Sequence, residues 1–126
     1  MILLDTSVLV DALTGSQRLG PALRSALARG NRMGIPSLVL FEWRRGPRRP
    51  PELALQEALF PSDEAIPFGP AEAIQAAELC RSVGRPRSRE VDLAIAAYAI
   101  TLGAELWSQN LSDFIDIPGL RIYTPL

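Results

Sequence analysis

Short, continuously apolar runs alternate with longer stretches of helical periodicity along this chain. The first run, Ile2–Leu4, ends at Asp5, and Glu105–Trp107 is a later predicted strand in which two apolar residues follow Glu105. Strands that are apolar on both faces are typical of a parallel sheet covered by helices on each side. The alternation therefore predicts a three-layer α/β/α domain whose central, mostly parallel sheet has four to five short strands.

The boundaries of the predicted elements follow from apolar spacing and from the positions of Pro and Gly. Strands are predicted at Ile2–Leu4, Met33–Ile35, Ala65–Ile66, Glu105–Trp107 and Leu120–Ile122. Helices are predicted after Asp5 with Thr6 or Ser7 as the cap, at Gln17–Arg29, from Pro36 through Trp43, at Glu52–Phe60, from Pro70 through Val83 and at Glu90–Leu102. The pattern contains no repeat or linker, so we interpret residues 1–126 as one domain.

The composition of the chain limits the cellular compartment and the classes of function that are expected. With 126 residues, 48% of them hydrophobic, the chain can bury one core without disulfides. Its single cysteine, Cys80, cannot form an internal bridge, which suits a reducing cytoplasm. We find no signal peptide and no uncharged stretch long enough to span a membrane. The net charge of -1 argues against a general polyanion binder.

The chain lacks both His and Lys, so every basic side chain is Arg. The absence of His excludes His-dependent nucleophilic catalysis and His-ligated zinc. The absence of Lys excludes a Schiff base and the lysine of a P-loop. Any catalysis must therefore use carboxylates, hydroxyls, Arg or a metal ion.

Three acids stand at positions where a carboxylate is unexpected. Asp5 follows the first strand directly, so it either caps the next helix or lines a crevice at the strand's carboxyl end. Glu42 lies in an apolar helix, where it either pairs with Arg45 or enters a site. Asp92 lies in the first turn of the most apolar helix, where the helix dipole also favours a negative charge.

A fourth group of polar residues follows the predicted strand Glu105–Trp107. Ser108, Asn110 and Asp113 lie there, either as ordinary turn residues or as part of the same crevice. Acids gathered at one sheet edge would repel each other unless a cation neutralised them. All-oxygen ligands select Mg²⁺ or Mn²⁺, and such an ion is suited to phosphodiester hydrolysis.

This pattern resembles the PIN domains, and more narrowly the VapC toxins of VapBC toxin–antitoxin pairs. The resemblance rests on the opening MILLDTS, a Glu in the helix after the second strand, the segment VDLAIAAYAITLGAEL, and a polar loop that ends in DF. It covers essentially the whole chain, although residues 44–90 contribute little to it. It implies a Mg²⁺-dependent endoribonuclease that acts on RNA, forms a homodimer and is inhibited by a small VapB-like antitoxin.

Site roles carried over from the resemblance follow the matching positions. It implies that Asp5 and Asp92 hold the metal, and that Glu42 acts on the metal or on the attacking water. Thr6 or Ser7 matches the hydroxyl beside the first Asp. Two positions depart from the family pattern. Ser108 replaces a common Thr, and neutral Asn110 stands where many members have a fourth acid. We expect one well-held ion, with Asp113 near the site.

Other features allow more than one interpretation. The Arg-rich segments Arg44–Pro51 and Gly84–Arg89 either follow an RNA backbone or are simply solvated. The Leu-rich helices at 19–27 and 53–60 hold an antitoxin groove, form a dimer face or belong to the core. A catalytically weak module that binds nucleic acid or a protein is the alternative function. A receiver domain lacks its paired acids and its lysine here, and a Rossmann or P-loop domain lacks its glycine fingerprint.

Overall fold

In a computed structural model that describes residues 1–84 and 86–126, a parallel sheet lies between two layers of helices. The strands are β1 (Ile2–Leu4), β2 (Met33–Gly34), β3 (Glu105–Trp107) and β4 (Arg121–Ile122). The α-helices are α1 (Thr6–Leu13), α2 (Gly20–Ala28), α3 (Ser37–Arg45), α4 (Pro50–Leu59), α5 (Pro70–Ser82) and α6 (Glu90–Leu102). Short 3₁₀ turns occur at Ser62–Glu64, Pro86–Arg89 and Leu111–Asp113. The predicted α/β/α class is confirmed.

The strand order is β2-β1-β3-β4, which puts β1 and β3 in the middle of the sheet. β1 pairs with β3 in the register Ile2 with Glu105, Leu3 with Leu106 and Leu4 with Trp107. All pairings are parallel, so β1 and β3 end side by side. The backbone N–H of Asp5 donates to the carbonyl of Trp107 at 2.9 Å, which carries this pairing one step beyond the strand.

The core lies where α6 and the central strands meet. Leu3, Leu4 and Leu106 are fully buried, as their continuous apolar runs predict. In α6, the predicted deep helix, the residues from Ile95 to Ala99 are at most 1% exposed. Gly103 ends α6 at a positive φ of 64°, a backbone conformation that glycine adopts without steric cost. Trp107 is also core, 1% exposed beside the ring of Tyr123.

Several predicted boundaries are wrong. α2 begins at Gly20 rather than Gln17, because residues 14–19 form a turn folded back on α1. α4 begins at Pro50 rather than Glu52, because proline is tolerated in the first helical turn, where its missing N–H is not needed. Ala65–Ile66 is not a strand of the sheet; Ile66 forms only a single parallel bridge with Pro36. No helix in the described part of the chain is long and apolar enough to cross a membrane.

Candidate functional site

Asp5 stands at the N-cap position of α1, but its carboxylate does not cap the helix. The side chain is turned to two hydroxyls: Ser7 Oγ donates to its Oδ2 at 2.9 Å, and Ser108 Oγ donates to the same oxygen at 2.7 Å. The residue is 5% exposed. The prediction that Thr6 or Ser7 caps α1 is wrong, since both lie within its first turn. Both described side-chain hydrogen bonds of Asp5 are made to Oδ2, so Oδ1 is available to a cation.

The two hydroxyls also fix the loop that follows β3. Ser7 Oγ accepts the backbone N–H of Gln109 at 3.0 Å, and Ser108 Oγ accepts that of Asn110 at 2.9 Å. Each hydroxyl thus donates to Asp5 and accepts from the loop, as a serine hydroxyl can. The predicted supporting roles of Ser7 and Ser108 correspond to this network, which binds the end of β3 to the start of α1.

Glu42 faces the same region from the middle of α3. Thr6 Oγ1 donates to Glu42 Oε1 at 2.6 Å, across 36 residues of sequence. The alternative partner, Arg45, lies farther away, with Nη2 4.0 Å from Oε2. The side chain of Glu42 is 24% exposed, so it is neither a fully buried charge nor a freely solvated one. Its orientation is therefore set mainly by the first residue of α1.

Asp92 is half-buried in the first turn of α6. Burial, and after it the negative charges of Asp113, Asp5 and Glu42 in that order, together raise the pKa of this carboxyl to about 6. The guanidinium of Arg89 opposes the increase. Because neighbouring carboxylates contribute to this upward pKa shift, they lie close enough to Asp92 for their charges to act on it. Perturbed carboxyls of this kind are typical of functional sites.

An open cleft of about 550 Å³ joins these residues. Its lining consists of Asp5, Thr6, Ser7, Val10, Asp11, Arg18, Glu42, Asp92, Gln109 and Asn110. The structure thus brings together Asp5 from the end of β1, Glu42 from α3 and Asp92 from α6, and Asn110 lines the same cleft. Ser108 lies behind Asp5. Asp113 is outside this lining and acts on Asp92 through its charge.

Three polar residues of the cleft were not predicted from the sequence: Asp11, Arg18 and Gln109. Gln109 Nε2 donates to Asp11 Oδ2 at 3.2 Å, and Arg18 Nη2 donates to the same atom at 2.6 Å. Asp11 is the one charged residue in the α1 sequence TSVLVDAL. That isolated charge was a usable signal. Arg18 carried none, because it precedes α2 in an ordinary polar turn.

The donor set fits a hard divalent cation, since the polar groups of the lining other than Arg18 are carboxylates, hydroxyls and amides. Within residues 1–84 and 86–126, however, no three Asp, Glu or Cys side chains converge into a ready-made metal-binding group. Mg²⁺ commonly binds one or two protein carboxylates and completes its shell with water or phosphate oxygens. Asp5 and Asp92 can supply those two carboxylates.

The Arg-rich segments are largely engaged in local contacts. Arg44 pairs with Glu57 at 2.6 Å, and Arg48 lies over the ring of Trp43 at 4.3 Å from its centroid. Arg45 lies over Phe41, Arg49 pairs with Glu52, and Arg89 pairs with Asp116. Arg87 is exposed, and Arg85 lies outside the described residues. RNA contact by these segments stays a prediction.

The Leu-rich helices divide between core and surface. Leu23 of α2 is buried, while Leu19 and Leu27 pack against the core from its edge. Leu55 and Leu59 of α4 line a shallow groove of about 120 Å³ beside α2. Packing in the core therefore accounts for the Leu residues of α2. For the groove beside α4, the two other interpretations, an antitoxin-binding surface and a dimer face, stay predictions.

Comparison with known proteins identifies this arrangement. The family model for the PIN domain matches residues 2–119. The chain belongs to the PIN domain family. The resemblance inferred from the sequence is thereby confirmed, and the acids at the carboxyl edge of this PIN domain lie within the matched region.

Relatives and solved structures agree with this membership. Ribonuclease VapC19 of Mycobacterium tuberculosis is 31% identical, with 96% of this chain and 98% of the relative covered. A structure of VapBC2 from Rickettsia felis bound to a promoter DNA fragment matches with a TM-score of 0.77, 25% identity and 98% of both chains covered. DNA-bound VapBC from Salmonella typhimurium matches with a TM-score of 0.73 and 27% identity, covering 97% of this chain and 96% of that one.

Proposed function

We propose that this PIN domain is a metal-dependent endoribonuclease and the toxin of a VapBC-type toxin–antitoxin pair. The observation that carries the proposal is the convergence of Asp5, Glu42 and Asp92 on one cleft, where burial and neighbouring negative charges raise the pKa of Asp92. Such uncompensated negative charge is costly to maintain unless a cation binds there. The 31% identity to Ribonuclease VapC19 over nearly the full length supports RNA as the substrate.

The roles of the residues follow from their contacts. Asp5 and Asp92 would hold Mg²⁺, for which Mn²⁺ can substitute, at the end of β1 and the start of α6. Bound there, the ion supplies an activated water and stabilises charge on the phosphoryl and leaving oxygens. Glu42, oriented by Thr6 at 2.6 Å, is placed to accept a proton from the attacking water. Ser7 and Ser108 hold Asp5 in position, and Asp113 strengthens the field at Asp92.

The partners belong to the same proposal. A small VapB-like antitoxin and a second copy of the chain are its expected protein partners, and the VapBC structures that share this fold support the first. The groove between α2 and α4, lined by Leu55 and Leu59, is an apolar surface for such a partner. Light scattering of the purified chain measures the homodimer directly, and a monomer at micromolar concentration would contradict that part.

The test of the nuclease uses purified, antitoxin-free protein and structured RNAs with Mg²⁺ or Mn²⁺. We expect cleavage that EDTA abolishes and that Asp5→Ala and Asp92→Ala each remove. Asp63→Asn is the matched control, because Asp63 is an exposed acid on the turn Ser62–Glu64, outside the cleft lining. Cleavage that survives EDTA or either cleft substitution would contradict the mechanism.

Two observations favour a second function. Asn110 is neutral, and the described residues contain no convergent group of three metal-binding acids, both of which favour a weakly catalytic module that binds nucleic acid or a protein. That function predicts no cleavage of any RNA and no rise in Tm when Mg²⁺ or Mn²⁺ is added. A rise in Tm with either ion, absent in Asp92→Ala, favours the nuclease instead.

A further inference from the structure

The cleft contains one base among four acids. Asp5, Asp11, Glu42 and Asp92 line it together with Arg18, which is the one basic side chain in the described lining. A bound cation would offset charge near Asp5 and Asp92 but not at the far end of the cleft. An anionic substrate that approaches Asp11 meets its two partners there, the guanidinium of Arg18 and the amide of Gln109. This end of the cleft therefore depends on Arg18 for any attraction to a phosphate.

Arg18 is held in place by a pair of contacts at one carboxylate oxygen. Its Nη2 donates to Asp11 Oδ2 at 2.6 Å, and Gln109 Nε2 donates to that oxygen at 3.2 Å. The Arg18 side chain is 68% exposed, against 29% for Asp11. A guanidinium has five N–H donors, so contact with Asp11 through Nη2 is compatible with further hydrogen bonds on its solvent side.

The turn before Arg18 is folded so that this residue returns to α1. The backbone N–H of Leu19 donates to the carbonyl of Asp11 at 3.2 Å, next to the ion pair. Gln17 has a φ of 54°, in the left-handed region that side-chain-bearing residues rarely adopt. Strain of this kind persists where the surrounding structure imposes it, and it concentrates near functional sites. The turn thus holds Arg18 over the cleft at a local energetic cost.

The spacing along α1 separates this position from the metal-binding acids. Asp11 lies six residues after Asp5, which corresponds to about 9 Å along a helix at 1.5 Å per residue. Because Arg18 contacts Asp11 and not Asp5, a phosphate that it binds lies to one side of the metal-binding acids. Arginine binds phosphate through paired N–H donors and keeps its charge at all relevant pH values.

We propose that Arg18, held by Asp11 and Gln109, is a second phosphate-binding position that receives the backbone of single-stranded RNA beside the scissile bond. The inference rests on the proposed function in taking RNA as the substrate. It assigns Arg18 to binding and positioning, and Asp11 to holding the guanidinium. A contact to the backbone recognises phosphate and not base, so it adds affinity without sequence preference.

The test measures RNA binding in the Asp92→Asn background, in Mg²⁺, where the RNA stays intact. Fluorescence anisotropy of a labelled single-stranded oligoribonucleotide at several salt concentrations gives the slope of log K against log salt. We expect Arg18→Gln to weaken binding about fivefold or more and to make the slope shallower by about 0.7, the value of one phosphate on a single strand. Arg18→Lys should retain the slope, since it keeps the charge.

Arg29→Gln is the matched control, because Arg29 is exposed and lies outside the cleft lining. It should change neither affinity nor slope by more than a fraction of what Arg18→Gln does. If Arg18→Gln leaves the salt slope unchanged, or if Arg29→Gln lowers it equally, the proposed phosphate position is wrong.

Kinetics of the otherwise native protein separate binding from chemistry. We expect Arg18→Gln to raise KM about fivefold while kcat changes less than twofold, because the contact is made equally in the ground state and the transition state. Failure of the wild-type protein to cleave RNA would overturn the nuclease while leaving the binding comparison intact. Cleavage with an unchanged salt slope in Arg18→Gln would overturn only the inference.

Discussion

Two clefts of similar size, about 550 Å³ each, differ in what their walls contain. The first is the acidic cleft at the carboxyl ends of β1 and β3. The second lies between the end of α2 and the edge strand β4, and its lining is Arg29, Asn31, Glu105, Ile122, Tyr123, Thr124 and Leu126. We call the second the β4 groove. Size alone does not distinguish them.

The charges of the lining side chains and the hydrogen bonds between them distinguish the two clefts. The β4 groove has one acid and one base in its lining, so its formal charge is balanced. The acidic cleft has four acids and one base, and the charges of two of these acids, Asp5 and Glu42, contribute after burial and Asp113 to the raised pKa of Asp92. Its hydroxyls also connect distant segments, as Thr6 does with Glu42. The acidic cleft is therefore distinguished as the candidate site by acids that converge on it and are oriented by hydrogen bonds.

The largest expected difference between the two clefts is in catalysis. Asp5→Asn should lower kcat/KM for RNA cleavage by at least about 100-fold, since even the groups that orient metal ligands typically contribute 10- to 100-fold. Glu105→Gln, the same kind of change in the β4 groove, should leave the rate within twofold. Single-turnover cleavage in Mg²⁺ measures both. Equal losses of kcat/KM in the two variants would show that the two clefts do not differ in their contribution to catalysis.

Stability should show the next largest difference. Ser108→Ala removes a donor to the buried Asp5 and an acceptor of the Asn110 N–H, so we expect the free energy of unfolding to fall by about 2 kcal/mol. Thr124→Ala in the exposed β4 groove should change it by less than about 0.5 kcal/mol. Urea unfolding gives both values. Ser108→Thr keeps the hydroxyl and should recover most of the loss.

Orientation of Glu42 should have a smaller effect on rate than loss of Asp5. Thr6→Val removes the 2.6 Å hydrogen bond to Glu42 while preserving shape, and we expect kcat to fall about tenfold with little change in KM. Thr6→Ser restores a hydroxyl and should recover activity. Thr124→Val is the corresponding change in the β4 groove. A Thr6→Val enzyme with normal kcat would show that Glu42 does not need this contact.

The smallest expected effect is electrostatic and depends on pH. Because the pKa of Asp92 is raised to about 6, its ionised form destabilises the metal-free fold, and the free energy of unfolding falls as pH rises from about 4 through 6. Asp92→Asn should flatten this decline. At pH 7 it should be more stable than the wild type by about 1 kcal/mol, a value reduced for solvent screening of a half-exposed group.

Thermal unfolding between pH 4 and pH 8 measures this effect, with Glu105→Gln as the variant that should keep the wild-type profile. The rise in Tm caused by Mg²⁺ in the wild type should disappear below about pH 6, because the metal must compete with a proton at Asp92. An Mg²⁺ effect that persists at pH 5 would place the ion away from Asp92.

Much of this fold could be predicted from local patterns. Ile2–Leu4 is a strand because a short run that is apolar on both faces suits a covered parallel sheet, and Glu105–Trp107, with Leu106 and Trp107 buried, pairs with it. The bounds of α6, Glu90–Leu102, were predicted from its unbroken apolar composition. The start of α4 at Pro50 was not, because proline was interpreted as a break when it occupies a first helical turn.

The acids of the site were predictable one by one, and their neighbours were not. Asp5, Glu42 and Asp92 each stood out as a charge beside apolar residues, which is a property of the sequence. Asp11, Arg18 and Gln109 form a contact between α1, the turn before α2 and the loop after β3. Nothing local signals the contact with Gln109, because that residue lies 98 positions after Asp11.

The sequence by itself therefore determined the elements, the layered class and the acids available to a site, since these depend on spacing and residue type over short stretches. Only the tertiary structure decided that Asp5 turns from the helix cap toward Ser7 and Ser108, that Thr6 orients Glu42, and that Arg18 reaches the cleft. The physical reason is the parallel pairing of β1 with β3, which brings the ends of distant segments to one edge of the sheet.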